Sequence, residues 1–275
     1  MEKSVGINAF WLKIIAITGM IMQHTALALA EITPYWLQWP LNAAGGLTFP
    51  IMAFLLVEGF RHTSNMTKYI IRLLIFGLIS QVPFMFMFQT NFQLNIMFTL
   101  LLGILILKLY DRIQKRDLFW LAFIGITIVS LAFNWGIFGP ILVLMYRVIK
   151  SEKKRRTLPS FISGITQLIM GLLALGIFAL ISAPFFTEII AKVPELAELT
   201  ELFSTAGAIP VMIAFPLGML AAIPLIRAYN GERGRSMKYL FYTAYPLHLA
   251  ILAVIAIVLG FNDFRLFGIF GFGLG

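Results

Sequence analysis

The chain has 275 residues, 60% of them hydrophobic and only 12% charged, about half the charge share of a soluble domain. Its mean hydropathy is +0.92, which excludes an ordinary water-soluble fold and predicts an all-α, polytopic transmembrane bundle. The absence of cysteine excludes a disulfide framework and a thiol nucleophile. The net charge of +9 is spread over separate loops without aromatic interleaving, so it reads as topology and attraction to lipid, and no nucleic-acid partner is expected.

Apolar runs between charge clusters predict nine helices and a short tenth apolar piece at the end, about nine to ten spans in one membrane domain covering 1–275. The first runs over roughly 10 to 31. A Lys3 start and the Ala26-Leu27-Ala28 stretch resemble a signal peptide, but the run is long and carries an internal Lys and His, so a retained helix is expected. Lys13 and His24 fall on one stripe of it, about 16 Å apart along the axis. Ionisable groups are costly in hydrocarbon, so two on one stripe propose a site facing the bundle interior.

The second helix, roughly 43 to 60, closes on Glu58, Arg61 and His62 at spacings that put them on one face. A helix-end ion cluster is their plain alternative. The third, about 69 to 88, carries Arg72 one turn inside, deep enough to need an anion, and Glu58 is the expected partner. Gln81 lies halfway along it. Asn95 and Thr99 stack on the fourth, about 95 to 110, and interhelical hydrogen bonding is the default for all three. The fifth and sixth, roughly 118 to 133 and 136 to 149, are short.

A seventh helix over about 161 to 186 leads to an amphipathic stretch near 187–206, expected as an external interfacial helix. The eighth and ninth follow at roughly 207 to 226 and 239 to 260. The ninth holds Tyr242, Tyr245, Pro246 and His248, and His248 and His24 lie at similar depth, about 14 and 18 Å from the basic side. One central cavity can therefore hold both. A lone buried His is more often a packing residue, but the Lys13 stripe favours a site at His24. Lys and Arg crowd 61–68, 108–116, 150–156 and 227–238, all on one side if spans alternate, which predicts a cytoplasmic N-terminus.

Four stretches resemble the TraX family: Leu12-Lys13 through Met22-Gln23-His24; Leu47-Thr48-Phe49-Pro50 through Glu58-Gly59-Phe60-Arg61-His62-Thr63; Lys68-Tyr69 through Arg72 to Gln81-Val82-Pro83-Phe84; and Lys238-Tyr239 to Tyr245-Pro246-Leu247-His248-Leu249. They cover the first third densely and the ninth helix, while the middle is similar only in hydropathy. The resemblance implies a membrane acetyltransferase of the wider transmembrane acyltransferase group, in which a basic residue and a His stand ten residues apart in the first helix, the places of Lys13 and His24. Gln23 stands where that family usually has an acid, which weakens a charge-based activation of His24.

The expected reaction is transfer of an acetyl group from cytoplasmic acetyl-CoA to a pilin-like N-terminus or surface glycan at the outer side of a bacterial cytoplasmic membrane. Lys13, Arg61, Lys68 and Arg72, with Glu58 beside them, are the expected donor-binding set. His24 is the expected base or acyl carrier, with His248 near it and Asn95, Gln81 or Tyr245 as oxyanion donors. Lipid is an expected partner and no metal is expected. The rival is a proton-coupled transporter or flippase relaying through His24, Glu58 and His248, which predicts no basic mouth and expects repeat symmetry that the sequence lacks. A non-catalytic assembly partner is a third reading.

Overall fold

A computed structural model describes residues 6–88, 93–182 and 208–259. The expected external helix near 187–206 and the tenth piece at the end lie outside the described residues. In chain order the helices are α1 (Ala9–Ala28), α2 (Tyr35–Gly46), α3 (Thr48–His62), α4 (Met66–Phe88), α5 (Ile96–Arg112), α6 (Arg116–Val129), α7 (Phe138–Val148), α8 (Glu152–Arg155), α9 (Leu158–Ile181), α10 (Ala208–Arg227) and α11 (Lys238–Val258). Among the described residues no strand is formed, and six helical stretches are long and apolar enough to cross a membrane. The protein is an all-α, polytopic membrane bundle.

The outer surface is apolar, as a lipid-facing wall must be. Leu78 and Val82 on α4, Leu121 and Ile128 on α6, and Leu173 and Leu180 on α9 are all exposed. The core lies behind them, built on Leu12, Phe49, Phe54, Leu142 and Tyr146.

The expected second helix is longer and jointed: α2 and α3 meet at Leu47, whose helical φ/ψ of −64° and −29° leaves the two almost continuous. Pro34 stands at the N-cap and Pro40 lies inside α2, which is why the stretch before residue 43 reads as a connection in sequence. Buried Gln38 holds the turn, donating to the carbonyls of Ala30 at 3.2 Å and Thr33 at 3.3 Å. The first helix, expected to reach residue 31, stops at Ala28, where the C-cap Leu29 N–H donates to the Thr25 carbonyl at 3.0 Å.

Small residues bring α2 onto its neighbours. A Cβ on Gly46 would stand 2.0 Å from the Phe215 carbonyl oxygen, one on Gly218 would stand 1.8 Å from that of Ala43, and one on Gly19 would stand 2.2 Å from that of Ala44. Backbone thus meets backbone between α2, α10 and α1, the close approach that small residues permit in membrane interiors. Gly164 and Gly171 bring α9 onto α10 in the same way.

Contacts between loops define two ends of the bundle. At one end Arg155 reaches Glu58, Arg156 donates to the Tyr229 carbonyl at 2.6 Å, and Ile7 exchanges backbone hydrogen bonds with Ala228 and Asn230. Arg116 and Arg147 both cover the ring of Tyr110 there, and Arg147 pairs with Asp111 at 2.5 Å. At the other end Leu94 pairs with Ala132 and Asn134 through backbone hydrogen bonds of 2.8 Å. The first end carries the basic loops 61–68, 108–116, 150–156 and 227–238; the described residues of the second carry no Lys or Arg.

Candidate active site

His24 lies one turn from the end of α1 and His248 halfway along α11, and the two rings meet. Nδ1 of His24 stands 2.7 Å from Nε2 of His248, with ring planes 19° apart. Nδ1 of His248 stands 2.8 Å from the Ala244 carbonyl oxygen of its own helix. The edge of Phe88 closes the other side of His24, with centroids 5.3 Å apart. Neighbouring Pro246 has no N–H, so the Tyr242 carbonyl lacks its helical partner and α11 can adjust locally.

His24 and Tyr245 open on a cavity of about 410 Å³. It lies toward the end opposite the basic one, since Gln93, Asn134 and Trp135 from the connecting segments of that end, with Ile96 at the start of α5, form part of its wall. Gln23 and Gln167 add carboxamides, and Phe215 and Met212 add apolar surface. No charged side chain is among its described lining residues. The side chain of Gln23 occupies the place a Cβ on Gly45 would take. Trp135 is fixed against Phe49 at 4.0 Å between centroids.

The expected site residues separate into layers. His24, His248 and Tyr245 come together, with Tyr245 buried, its ring 5.6 Å from His248 and its hydroxyl meeting the backbone of Ile96. Asn95 is fully buried but committed elsewhere: it caps α5 by accepting from Met97 N–H at 3.0 Å and donates to the Gly77 carbonyl at 2.8 Å and to Gln81 Oε1 at 2.9 Å. Gln81 in turn donates to the Gln93 carbonyl at 2.8 Å. The two amides tie α4 to α5, and neither is among the cavity's described lining residues.

Lys13 does not line the cavity with His24; its ammonium lies 5.3 Å from the centre of the Phe241 ring. Arg72 stands beside the hydroxyl of the next residue, Tyr242, whose ring lies 5.1 Å from that of Phe76. The two cations therefore converge on the first turn of α11, nearer the basic end. The Nε of Arg72 is buried without a hydrogen-bond partner among the described residues. Arg61 and Lys68 are exposed at the same end.

The expected Glu58–Arg72 pair is not formed. Glu58 accepts from Arg155 at 2.6 Å and faces Arg61 at 3.5 Å. Arg155 is only 4% exposed and also meets Glu152 at 2.5 Å. It is the charge that sequence reasoning missed, since nothing in a run of four cations from Lys153 to Arg156 marks which one turns inward. Gln167 was also missed, although a lone Gln in the apolar run 161–186 was a readable signal.

Comparison with known proteins agrees in extent with this arrangement. The family described as TraX protein matches residues 9–256, a range that reaches from the start of α1 to the end of α11 and so contains both histidines. A probable fimbrial assembly protein FimC, serogroup H1, of Dichelobacter nodosus is 30% identical over 267 residues, covering 91% of this chain and 96% of that protein. No solved structure matches the chain.

Proposed function

Since the chain belongs to the TraX family, we propose that it is an acetyltransferase of the bacterial cytoplasmic membrane, moving an acetyl group from cytoplasmic acetyl-CoA to an amine or hydroxyl presented at the outer side. The observation that carries this reading is the two-ended site. A histidine pair opens on an uncharged cavity at one end, and cationic side chains gather at the other, among them Arg72, whose Nε has no hydrogen-bond partner among the described residues. Lys and Arg concentrate on the cytoplasmic side of membrane proteins, which assigns the basic end to the cytoplasm.

The basic end fits a phosphate-rich donor. Arg61 and Lys68 present exposed cations, and Arg72 has an orphaned Nε that a phosphate oxygen satisfies. Bound acetyl-CoA supplies an acetyl thioester. His24, about 16 Å along α1 from Lys13, is placed to take the proton of the acceptor as the new bond forms. Tyr245, which lines the cavity with its ring 5.6 Å from that of His248, is the proposed hydroxyl for a developing oxyanion, a contribution of about 3 kcal/mol when well placed.

The acceptor is proposed as the N-terminus of a pilin-like protein or a surface glycan, and the printed name of the Dichelobacter nodosus relative favours the former. The transporter reading loses its relay: Glu58 is engaged by Arg155 and Arg61 at the basic end, whereas the histidines meet toward the opposite end. The test is acetyl-CoA binding by purified protein in detergent, paired with turnover on envelope acceptors. Donor binding with turnover that His24→Ala lowers by at least about 10²-fold is the expected result. A protein that binds no acetyl-CoA but carries protons into proteoliposomes in a His24-dependent way overturns the reading.

A further inference from the structure

A carbonyl oxygen only accepts hydrogen bonds. The 2.8 Å contact between His248 Nδ1 and the Ala244 carbonyl therefore places a proton on that nitrogen. In a neutral ring the other nitrogen, Nε2, then carries a lone pair. That atom stands 2.7 Å from His24 Nδ1, so His24 must supply the proton between them. His24 is then protonated at Nδ1, and its Nε2 is left with a lone pair, the one ring nitrogen of the four engaged neither in the pair nor with the Ala244 carbonyl. We propose that His248 is the positioning residue of this site: it locks His24 in the Nδ1–H tautomer and accepts that proton during transfer. This deepens the acetyltransferase reading and rests on it for the catalytic part only.

The proton account closes. As the acceptor nitrogen or oxygen bonds to the acetyl carbon, its proton goes to His24 Nε2, and the Nδ1 proton of His24 moves to His248 Nε2. As the carbon–sulfur bond breaks, His248 Nε2 returns its proton to His24 Nδ1 and the departing thiolate takes the proton from His24 Nε2, which leaves the pair as it began. The charge created by base catalysis is thus spread over two rings where no carboxylate is among the described lining residues of the cavity. Gln23, beside His24, cannot hold that charge. A second imidazole does the work that an acid would do.

Only three histidines are present, and His62 is exposed at the basic end, so the His62→Gln protein leaves two ring signals. Nitrogen-15 spectra of histidine-labelled protein in lipid nanodiscs should show both rings as the Nδ1–H tautomer, the minor form of a free imidazole. In His248→Phe the His24 signal should revert to the Nε2–H form and turnover should fall about 10²- to 10⁴-fold, with the KM for acetyl-CoA changed less than about threefold. His248→Gln keeps an acceptor oxygen for His24 but cannot take a proton; it should hold the tautomer and recover about tenfold of that loss. An Nε2–H tautomer in His24 of the parent protein overturns the proposal, as does a Gln variant no more active than Phe. The tautomer spectra decide the pairing even if no acetyl transfer is found, so failure of the wider reading is told apart from failure of this one.

Discussion

Hydrogen-bond capacity separates the side chains that hold the molecule from those with capacity to spare. Asn95 makes three side-chain hydrogen bonds, to Gly77, Gln81 and Met97, which use both of its N–H donors and leave none for an oxyanion. Asn95→Ala should therefore lower stability by about 1–3 kcal/mol, from unmet buried partners, and change turnover per folded molecule little. Thermal unfolding in detergent beside an acetyl-transfer assay separates the two effects. Its appearance in sequence, a polar residue at the start of an apolar run, is the same for a cap and for an oxyanion donor, and only the partners tell them apart. His24 was legible because its stripe and depth are sequence properties. Its ring partner was legible as a depth match on the last helix, but not as a hydrogen bond. Arg72→Ala, which removes a cation and its orphaned Nε, should weaken acetyl-CoA binding by about tenfold, equivalent to one charge-assisted contact. Equilibrium titration with the donor reads this directly.

Helices in this bundle approach one another as closely as their glycines allow. Gly218→Ala drives a methyl into the Ala43 carbonyl, where only 1.8 Å is available, so α10 must back away from α2. The cost should be about 1–3 kcal/mol, measured as a lower unfolding midpoint. Gly59→Ala adds a methyl where nothing stands within 4 Å and should be neutral or stabilising by up to about 1 kcal/mol. The contrast would fail if both substitutions shifted the midpoint equally. Apolar run lengths and charge punctuation placed most helices within a few residues. They missed the start of α2 because Pro34 and Pro40 read as breakers, whereas one serves as an N-cap and the other is accommodated inside the helix. Which helices touch is decided by small-residue faces on non-adjacent segments, and no local pattern reports that.

One end of the molecule is tied together by ions, with Arg155 between Glu58 and Glu152 and Arg156 on the carbonyls that finish α10. Among the described residues, removing Arg155 leaves Glu58 with the longer Arg61 contact alone, and Arg155→Ala should cost about 3 kcal/mol; Glu58→Gln with Arg155→Met should recover much of it. Chemical denaturation of the three proteins in detergent tests this, and an additive loss in the double variant would contradict the pairing. The class of the molecule and the grouping of its cations were readable from composition and alternation alone, because lipid imposes both on any spanning chain. Orientation follows from the same distribution. The chain has no cysteine, so single cysteines at Ser151 and Glu31 should be modified from opposite faces of the membrane by an impermeant reagent, Ser151 from the cytoplasm. Labelling of both from outside would reverse the assignment.

The two histidines that touch are 224 positions apart in the chain, and the segment before α1 is stitched to residues 228–232 by backbone hydrogen bonds. During synthesis, His24 enters the bilayer early and waits through nearly the whole of translation for its partner. Until α11 is inserted, the His24 ring can have Phe88 at its edge but not the His248 nitrogen that its Nδ1 meets in the finished bundle. A chain that stops before α11 therefore holds His24 without the ring it meets in the finished bundle, and the pair exists only once the whole chain is in place.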